Sequence, residues 1–547
     1  MESLEFTNCR PTLARGPMVG NSYRQQAIRE TFDTIVIGSG IGGLAAAVLL
    51  ARHGHQRVLV LERHYAVGGF THVFHRPGFE WDVGVHYVGQ MQEPDSPVRK
   101  IFDHLSEGRL TWAPMPDVYD RVIMAGRCYD YVTGVDRFRQ QMTHYFPNEA
   151  HAIQRYLRLI RATVRWSGAY FAERALPPFL ARWMGGLLRW PFMRYARRNT
   201  ATVLGKLTEN AELKGVLAAQ WGDYGLPPSE SSFAIHSIIA QHYFDGASYP
   251  VGGAGSIARA LSPEIERCGG QIVVGAEVGS ILTDARYGAI GVRMADGQEF
   301  RASAVISDAG ARNTFGRLLR NDLPDVEAIA AQVQSIPPST AHLCLYVGLN
   351  GSANDLGLSG TNLWIYPGPD HDDNVRRFLE DRQSPLPMIY ISFPSAKDPT
   401  FIERFPGRAT IEVICAVPFD LFSGWENSRW KKRPAEYEAL KKQFAERMLE
   451  ALYRHVPSVR GRVVHAELST PLTTRHFSNY QTGEIYGLAH TPARFRLRCL
   501  GPRTPVPNLY LTGQDAAVVG VVGATAGGVL AASAVLKKNI FKVATSG

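Results

Sequence analysis

A segment near the start of the chain constrains the fold more than any other part of the sequence. Residues 33–69 read DTIVIGSGIGGLAAAVLLARHGHQRVLVLERHYAVGG, which gives a β-branched run, a glycine turn, an apolar helix and a second apolar run. This is the order of strand, turn, helix and strand in a dinucleotide-binding unit. The sequence therefore predicts a parallel α/β sheet whose first crossover holds a dinucleotide.

The glycines of this turn and the acid after the second run have distinct predicted roles. Gly38 permits a tight turn, Gly40 lets the backbone approach a pyrophosphate, and Gly43 lets the helix pack closely on the strand. The helix N-terminus then faces the phosphates. Glu62 lies about twenty residues beyond the glycines, where a carboxylate accepts hydrogen bonds from ribose hydroxyls. An acid at this position disfavours a 2′-phosphate, but it leaves the choice between FAD and NAD open.

Two further segments are predicted to join the same sheet. NLYLTG at 508–513 reads as a strand, and the stretch Ala516–Leu536 that follows carries no charge. Its length suits a membrane span, but Ala and Gly dominate it rather than Leu, Ile and Phe, so we interpret it as a buried helix. The segment Gly269–Gly310 alternates β-rich runs with turn signals, which predicts a meander that returns to the sheet.

Length, cysteine usage and the N-terminal residues narrow the class of protein. A chain of 547 residues exceeds one hydrophobic core, so a split cofactor domain with inserted segments is expected. The six cysteines are scattered without CxxC pairs, which predicts neither a disulfide framework nor a metal site and favours a reducing compartment. The first thirty or so residues lack the apolar core of a signal peptide, and we interpret them as a flexible or surface-lying extension.

The net charge of +9 is concentrated in a stretch that is rich in arginine and aromatic residues. Its arginines include Arg155, Arg158, Arg161, Arg165, Arg182, Arg189, Arg194, Arg197 and Arg198. Its interleaved aromatic residues are Trp166, Tyr170, Phe171, Phe179, Trp183, Trp190, Phe192 and Tyr195. Such helices are typical of proteins that lie in an anionic membrane interface. An ordinary solvated helical face and a nucleic-acid surface are the alternatives, and the lack of a nucleic-acid motif disfavours the second. We predict a protein on the cytoplasmic side that is peripheral to the membrane, with no spanning helix.

Four motifs carry a resemblance to a known family. They are GFEWDVGVHYVGQM at 78–91, YPVGGAG at 249–255, TPLTTRHFSNYQTGEIYG at 470–487 and NLYLTGQDAAVVGVVGA at 508–524. With the E-x5-G-G pattern that starts at Glu62, they resemble the retinol saturase branch of the phytoene desaturase and carotene isomerase family. The resemblance covers most of the chain from Asp33 onward and implies FAD as the cofactor. The chain departs from related proteins in two ways. Phe70 stands where amine oxidases commonly place a phosphate-contacting arginine, and no secretory leader is predicted before the fold.

The resemblance implies an α/β fold with a split, Rossmann-like FAD-binding domain of the glutathione-reductase-2 or amine oxidase type. It also implies an inserted substrate domain and a helical, membrane-facing region. The predicted segments are 1–32 (extension), 33–100, 251–335 and 491–547 (FAD-binding domain), 101–250 (helical region) and 336–490 (substrate domain). The predicted FAD-binding residues are Gly38, Ser39, Gly40, Ile41, Gly42, Gly43, Glu62, Arg63, Gly68, Gly69, Phe70, Thr71, Val278, Gly513, Asp515 and Gly523.

The implied chemistry is addition or removal of hydrogen across a C=C bond of a lipophilic polyene, isoprenoid, retinoid or acyl chain. The flavin carries the hydride chemistry while the protein orients the substrate. No second GxGxxG unit follows the first, so the electron donor or acceptor stays open. The resemblance favours saturation, and a carotenoid-type desaturase or cis–trans isomerase is the alternative. An amine oxidase is more distant. A non-catalytic, flavin-bearing protein that binds lipids or pigments is an alternative from a different class.

The proton that accompanies the hydride needs a donor, and His86 is the leading candidate. In an extended backbone Asp82 and His86 share a face, but they would be roughly 13 Å apart, too far for a direct dyad unless the strand bends. His86 is therefore predicted to deliver or position a proton, or else to support the cofactor pocket without proton transfer. The resemblance places a second polar cluster near the substrate cavity, with a structural network as the alternative: Arg475, His476 and Tyr480.

Overall fold

The computed structural model describes residues 19–25, 28, 31–176, 178–320, 322–323 and 325–546, with side chains for all of these except 175 and 178–182. Most of the predicted N-terminal extension, including Cys9, falls outside this range. The sequence analysis also named Phe179 and Arg182 in the basic stretch, and their side chains fall outside the described part of the structure.

The strands of the described residues are spread along the whole chain. They are β1 (Asn21–Ser22), β2 (Thr34–Ile37), β3 (Val58–Glu62), β4 (Val73–Arg76), β5 (Phe79–Asp82), β6 (Val88–Gly89), β7 (Trp112–Pro114), β8 (Val118–Met124), β9 (Arg127–Val132), β10 (Ala247–Pro250), β11 (Gln271–Val274), β12 (Val278–Thr283), β13 (Ala289–Met294), β14 (Glu299–Arg301), β15 (Ala304–Ser307), β16 (Ala341–Asn350), β17 (Asn362–Tyr366), β18 (Ile389–Ser392), β19 (Arg408–Val417), β20 (Val463–Ser469) and β21 (Leu509–Leu511).

The α-helices are also spread along the whole chain. They are α1 (Ile41–Gly54), α2 (Pro97–Ser106), α3 (Val135–Tyr145), α4 (Ala150–Ala175), α5 (Pro178–Ala196), α6 (Thr200–Gly205), α7 (Ala211–Ala218), α8 (Phe233–Tyr243), α9 (Gly255–Arg267), α10 (Ala311–Asn313), α11 (Val326–Gln334), α12 (His371–Glu380), α13 (Pro394–Lys397), α14 (Phe401–Arg404), α15 (Ala435–His455), α16 (Pro471–Ser478), α17 (Gly513–Ala516), α18 (Gly520–Leu536) and α19 (Ile540–Thr545).

A parallel six-stranded sheet draws its strands from three distant parts of the chain. Its order is β1, β11, β3, β2, β15 and β21, and every pair in it is parallel. Strands β2 and β15 are wholly buried, as expected for a parallel sheet that is covered on both faces. The meander predicted for 269–310 supplies β11 and β15, and the small sheet β12–β13–β14 lies between them in the sequence.

Helices α1 and α18 pack closely against each other beside this sheet. A side chain at Gly528 would lie 2.7 Å from Cβ of Ala45 and 3.0 Å from the backbone nitrogen of Ala46, so glycine is what permits the approach. The uncharged stretch that ends at Leu536 is therefore a half-buried to buried helix of the α/β domain. In the described part of the chain, every helix falls short of the length and apolarity that a bilayer crossing demands.

A mixed seven-stranded sheet forms the second layer. Its order is β20, β16, β19, β18, β17, β8 and β9, and β16 pairs with β19 from Ala341–Val417 to Asn350–Arg408. One face packs on α15, and the other carries His342 and Tyr346 from β16 beside Glu412 from β19. Strands β8 and β9 come from the segment 101–250, so this sheet spans two of the predicted segments.

The basic stretch forms α4 and α5, and it is less uniformly exposed than the sequence predicts. Arg189 is 7% exposed and pairs with Glu173 across 3.8 Å. Tyr170 and Phe192 are buried in the same core as the helices around them. The prediction of a surface arginine and surface aromatic residues is therefore wrong at these three positions, because they fill the contact between α4 and α5.

Candidate active site

A cavity of about 2000 Å³ is lined by residues of both large sheets. At one end lie the carboxyl ends of β2 and β3 with the start of α1, and at the other lie side chains of β16, β17, β18 and β19. Ligands of open α/β sheets bind at the carboxyl ends of the strands. The cavity therefore joins a nucleotide-binding edge to an inner chamber in the second layer.

The nucleotide end is organised around Glu62. Its Oε2 accepts hydrogen bonds from the backbone nitrogen of Ser39 (2.8 Å) and from the Ser39 hydroxyl (2.7 Å). Its Oε1 accepts from the backbone nitrogen of His64 at 2.7 Å. The carboxylate is thereby fixed at the end of β3 and lines the cavity, as a ribose acceptor must.

The glycine turns form a cradle around this end of the cavity. Gly40 is the N-cap of α1 and has no side-chain capping bond, and the first turn carries no acid. A side chain on Gly69 would lie 2.9 Å from Cα of Gly40, so the two turns lie against each other only as glycines. A helix N-terminus, glycine turns and an oriented carboxylate are the donor and acceptor set that the adenosine half of FAD needs. The residues present fit that group.

Most of the predicted FAD-binding residues line the cavity. They are Gly38, Gly40, Ile41, Gly42, Glu62, Arg63, Gly68, Gly69, Phe70, Thr71, Val278 and Gly513.

Four of the predicted FAD-binding residues lie behind the lining. Ser39 orients Glu62, and Gly43 packs helix on strand with its missing Cβ 3.2 Å from Cγ1 of Val36. A side chain at Gly523 would meet Val518 rather than the cavity. Asp515 accepts from the backbone nitrogens of Ala311 (2.8 Å) and Leu488 (2.9 Å), so it ties loops together.

Asp308, at the end of β15, is a cavity residue that the sequence analysis missed. Its carboxyl lies among Gly40, Gly42 and Gly513 and accepts hydrogen bonds from the backbone of Gly43 and Gly40. Burial raises the pKa of Asp308 to about 8, and the nearby charges of Glu62 and Asp515 act in the same direction. A neutral carboxyl at this position does not repel a phosphate.

The predicted proton donor His86 lines the cavity, and its Nδ1 lies 2.8 Å from Oε2 of Glu412. The backbone nitrogen of Asp82 donates to Oε1 of the same Glu412 at 2.9 Å. The strand β5 ends at Asp82, so the extended backbone assumed from the sequence does not continue to His86. Glu412 therefore bridges the two positions that the sequence analysis considered too far apart for a dyad.

Burial sets the protonation of this pair. It raises the pKa of Glu412 and lowers that of His86, so both neutral forms are favoured. A protonated Glu412 then donates to Nδ1 of His86, and the ring proton resides on Nε2. In the described residues Nε2 accepts or donates no hydrogen bond within the protein, and the ring borders the cavity.

Lys397 supports the backbone of His86 from the opposite side. Its Nζ donates to the carbonyl oxygen of His86 (2.9 Å), to Oγ of Ser392 (2.8 Å) and to Oδ1 of Asn362. Burial lowers the pKa of Lys397 to about 7, and the negative charge of nearby Asp120 opposes that change. The amine thus holds the turn that carries His86 in place.

The second predicted polar cluster is divided by the structure. Tyr480 lines the cavity, its ring centroid lies 6.2 Å from that of Phe70, and its hydroxyl accepts from Nε2 of Gln514 at 3.2 Å. Arg475 pairs with Glu426 across 2.7 Å at the surface. His476 is exposed and stacks on Trp430 with 4.8 Å between ring centroids. Arg475 and His476 lie outside the cavity lining because α16 turns them towards solvent.

The chain is similar to a known protein family and to curated relatives. The model of the family described as "Flavin containing amine oxidoreductase" matches residues 41–345. An all-trans-retinol 13,14-reductase of Danio rerio is 38% identical, covering 96% of this chain and 89% of the relative. A Danio rerio protein described as an inactive all-trans-retinol 13,14-reductase is 30% identical, covering 97% and 92%. Prolycopene isomerase 1 of an Oncidium hybrid cultivar is 27% identical, covering 89% and 80%.

Solved structures share the fold. Putrescine oxidase superposes with a TM-score of 0.61 at 19% identity, covering 93% of this chain and all of the other. Cyclohexylamine oxidase from Brevibacterium oxydans superposes with a TM-score of 0.58 at 18% identity, covering 94% and 99%. These likenesses show an α/β fold of the flavin-dependent amine oxidase type.

Proposed function

Because the chain belongs to the flavin-containing amine oxidoreductase family and groups there with the all-trans-retinol 13,14-reductases, we propose that it is an FAD-dependent reductase of a retinoid C=C bond. The substrate is a lipophilic polyene, and the reaction adds one hydrogen to each carbon of the bond. The observation that carries the proposal is the His86–Glu412 pair, which opens into the same cavity as the dinucleotide cradle.

The protein side of the reaction follows from this geometry. FAD, when bound and reduced by an external electron donor, would supply the hydride and be reoxidised. His86 holds a proton on Nε2 at the cavity wall, and it delivers this proton to the neighbouring carbon while Nδ1 accepts a proton from Glu412. Once its proton has moved to Nδ1 of His86, Glu412 is left as a carboxylate anion. The nearby Lys397 stabilises this charge.

The wall of the inner chamber suits a polyene. It is formed mainly by apolar and aromatic side chains, among them Trp364, Met388, Tyr390, Ile414 and Tyr486. Aromatic faces pack against a conjugated chain and exclude water from it, which protects the hydride from side reactions.

The test uses the FAD-loaded protein under anaerobic conditions. The flavin is reduced by light and a sacrificial donor, all-trans-retinol is added, and the retinoid is analysed by mass spectrometry. We expect the flavin to reoxidise and the retinoid to gain two hydrogen atoms. A retinoid of unchanged mass, with the flavin still reduced, contradicts the proposal.

The same assay distinguishes the two alternatives. A cis–trans isomerase, favoured by the similarity to prolycopene isomerase, returns a product of unchanged mass but altered retention time. A non-catalytic flavoprotein returns the retinoid unchanged, and one of the relatives is described as inactive.

We also propose that α5 docks the protein on an anionic membrane. Trp183 (91% exposed), Leu187 (78%) and Trp190 (60%) recur at intervals of three or four residues and share one face of the helix. Arg194 lies over the Trp190 ring, 5.4 Å from its centroid, and Arg197 and Arg198 are exposed beyond it. An apolar face flanked by arginines matches a lipid interface of negative charge.

A further inference from the structure

A carboxyl group lines the inner chamber without a role in the steps described so far. Asp223 follows α7 at the chamber wall, where its neighbours include Gly222 and Trp364. Its Oδ2 lies 2.8 Å from the hydroxyl oxygen of Tyr87. Its Oδ1 has no hydrogen-bond partner among the described residues.

Tyr87 lies between two carboxyl groups, which restricts where protons reside. Its hydroxyl is 2.8 Å from Oδ2 of Asp223 and 3.1 Å from Oδ2 of Asp120. A phenol has one proton to donate, so only one of these oxygens receives it. The other contact is a hydrogen bond only if that carboxyl is itself protonated and donates to the phenol oxygen.

The remaining contacts assign the negative charge to Asp120. Its Oδ1 accepts from Nδ2 of Asn362 (2.8 Å) and its Oδ2 accepts from Nε2 of Gln220 (2.9 Å), and it is fully buried. Lys397 is close enough for Asp120 to raise the pKa of that lysine. Burial raises the pKa of both carboxyl groups, but Asp120 has these amide donors to stabilise its charge and Asp223 does not. Asp223 is therefore the neutral acid of the pair.

A second polar group faces the same chamber without a partner. Nδ1 of His342 is buried and has no hydrogen-bond partner among the described residues, although His342 lines the cavity and is 6% exposed. Unpaired buried polar atoms cost free energy unless a ligand or water completes them. The chamber thus holds a hydrogen-bonding position inside a wall that is otherwise largely apolar.

We propose that Asp223 binds the hydroxyl group of a polyene alcohol and thereby selects the double bond that is reduced. This inference rests on the proposed function. The proton of the neutral Asp223 is donated to Tyr87, so Oδ1 is left as an acceptor, and the hydroxyl of an alcohol donates to it. An ester and a hydrocarbon lack this donor, and a carboxylate is repelled by the charge on Asp120.

The location of Asp223 explains why a bond next to the alcohol would react. In a 13,14-reduction of retinol, the reacting bond is adjacent to the carbon that bears the hydroxyl. Tyr87, which binds Asp223, directly follows His86 in the chain. The Tyr390 ring packs against both, with centroids 5.5 Å from His86 and 6.3 Å from Tyr87. A hydroxyl held at Asp223 therefore keeps the adjacent C=C bond beside the proton donor.

The test compares two ligands and two variants on FAD-loaded protein. Binding of all-trans-retinol and of all-trans-retinyl acetate is followed by quenching of protein fluorescence with the flavin oxidised, so that no turnover occurs. Wild type should bind the alcohol at least about tenfold more tightly than the acetate, since a site built for a hydroxyl rejects an analogue without it. Asp223→Leu should remove that preference. Asp245→Asn, a change at an exposed acid outside the cavity lining, should keep it.

A second measurement follows the position of reduction. Under photoreduction, wild type should saturate retinol at a single bond, and Asp223→Leu should slow the reaction and spread it over several bonds. Equal affinity of wild type for both ligands overturns the inference. So does a leucine variant that retains the alcohol preference. Equal affinity in the wild type overturns the inference even if the leucine variant does not fold.

The two proposals fail separately. If wild type prefers the alcohol but saturates no retinoid, the reductase function is wrong and the hydroxyl site stands. If wild type saturates retinol and its acetate equally well at the same bond, the reductase function stands and the role of Asp223 is wrong.

Discussion

At the scale of single residues, proton delivery depends on Glu412, which lies 326 positions from His86 in the chain. Glu412 belongs to β19, whose residues Ile414 and Ala416 line the cavity, and Glu412 itself is fully buried. A charged residue in such a buried strand has to be paired or neutral. Here it is protonated and bonded to His86, so the energetic cost of its burial is offset by a hydrogen bond that also prepares the histidine.

The His86→Gln variant should bind FAD normally but turn over roughly 10²- to 10⁴-fold more slowly, the range typical of general acid catalysis. Stopped-flow spectroscopy should place the defect in the step that transfers hydrogen to the substrate. Arg475→Gln is the matched control, since Arg475 pairs with Glu426 at the surface and should not affect this step. Turnover near the wild-type rate in the His86 variant would remove the residue from proton delivery.

The pH profile gives an independent measure of the same pair. Glu412 delivers a proton only while it is protonated, and its pKa is raised to about 8. Turnover should therefore fall as pH rises through that value, and Glu412→Gln should be slow at every pH without that fall. A wild-type rate that stays level between pH 7 and about pH 10, a range that spans a full titration of such a group, contradicts the assignment.

The affinity for FAD should also depend on pH, through Asp308. Its pKa of about 8 applies to the flavin-free protein, and a bound pyrophosphate favours the neutral carboxyl further. Affinity should therefore be constant in mildly acidic solution and fall as pH rises past about 8. Titration of flavin fluorescence should show that fall in wild type and a flatter curve in Asp308→Asn. Identical curves for the two proteins would exclude Asp308 from the phosphate site.

The sequence predicts some of these residues and not others, for a physical reason. Gly40 and Glu62 act through their immediate chain neighbours, so local order reveals them. Tyr480 and His86 come from the resemblance and from chain position, and both line the cavity. Glu412 and Asp223 owe their roles to partners that are brought together by the sheet, and no local pattern encodes that pairing. An acid within an apolar strand was the available signal for Glu412.

At the scale of elements, α5 combines two functions on opposite faces. Its buried face holds Arg189 and Phe192 against α4, while its exposed face presents Trp183, Leu187 and Trp190. The sequence pattern of arginine and aromatic residues predicts an amphipathic element. It does not show which residues face the core, because this depends on the packing of α4 against it.

Replacing Trp183, Leu187 and Trp190 with serine should abolish most binding to vesicles that contain phosphatidylserine. Each large apolar side chain contributes about 1.5–3 kcal/mol when fully buried, so the three together dominate the affinity. Changing Arg194, Arg197 and Arg198 to Glu should weaken binding at low salt by about 1 kcal/mol per residue. Sedimentation with vesicles measures both effects.

The control for this experiment lies on α19. Phe541 is 48% exposed and Val543 is 43% exposed, so Phe541→Ser with Val543→Ser removes a smaller exposed apolar surface elsewhere on the protein. Docking through α5 requires this control to bind like wild type. Equal sedimentation of the α5 variants and wild type would show that the helix does not reach the lipid.

At the scale of the whole molecule, the cofactor end of the cavity is assembled from parts that lie far apart in the chain. Strands β2 and β3, then β11 and β15, and finally β21 lie side by side in one sheet. The first unit could be predicted from its own residues. The order of the sheet follows from pairings such as β15 with β21, which depend on contacts between distant segments.

FAD should therefore stabilise the entire α/β domain and not only the first unit. At a free FAD concentration about 100-fold above the dissociation constant, the stabilisation is about 2.7 kcal/mol. Differential scanning calorimetry of flavin-free and reconstituted protein should show a higher melting temperature with FAD, and riboflavin should give a smaller shift because it lacks the adenosine half. An unchanged melting temperature with FAD bound contradicts this expectation.

The place of β21 in the sheet also determines when the flavin site becomes complete during synthesis on the ribosome. A growing chain emerges with its N-terminal end first, and domains fold as their parts become available. The glycine turn before α1 is synthesised well before Gly513 and the start of α18, which border the same cavity. A nascent chain consequently carries an incomplete flavin site until the segment that contains β21 and α18 has emerged.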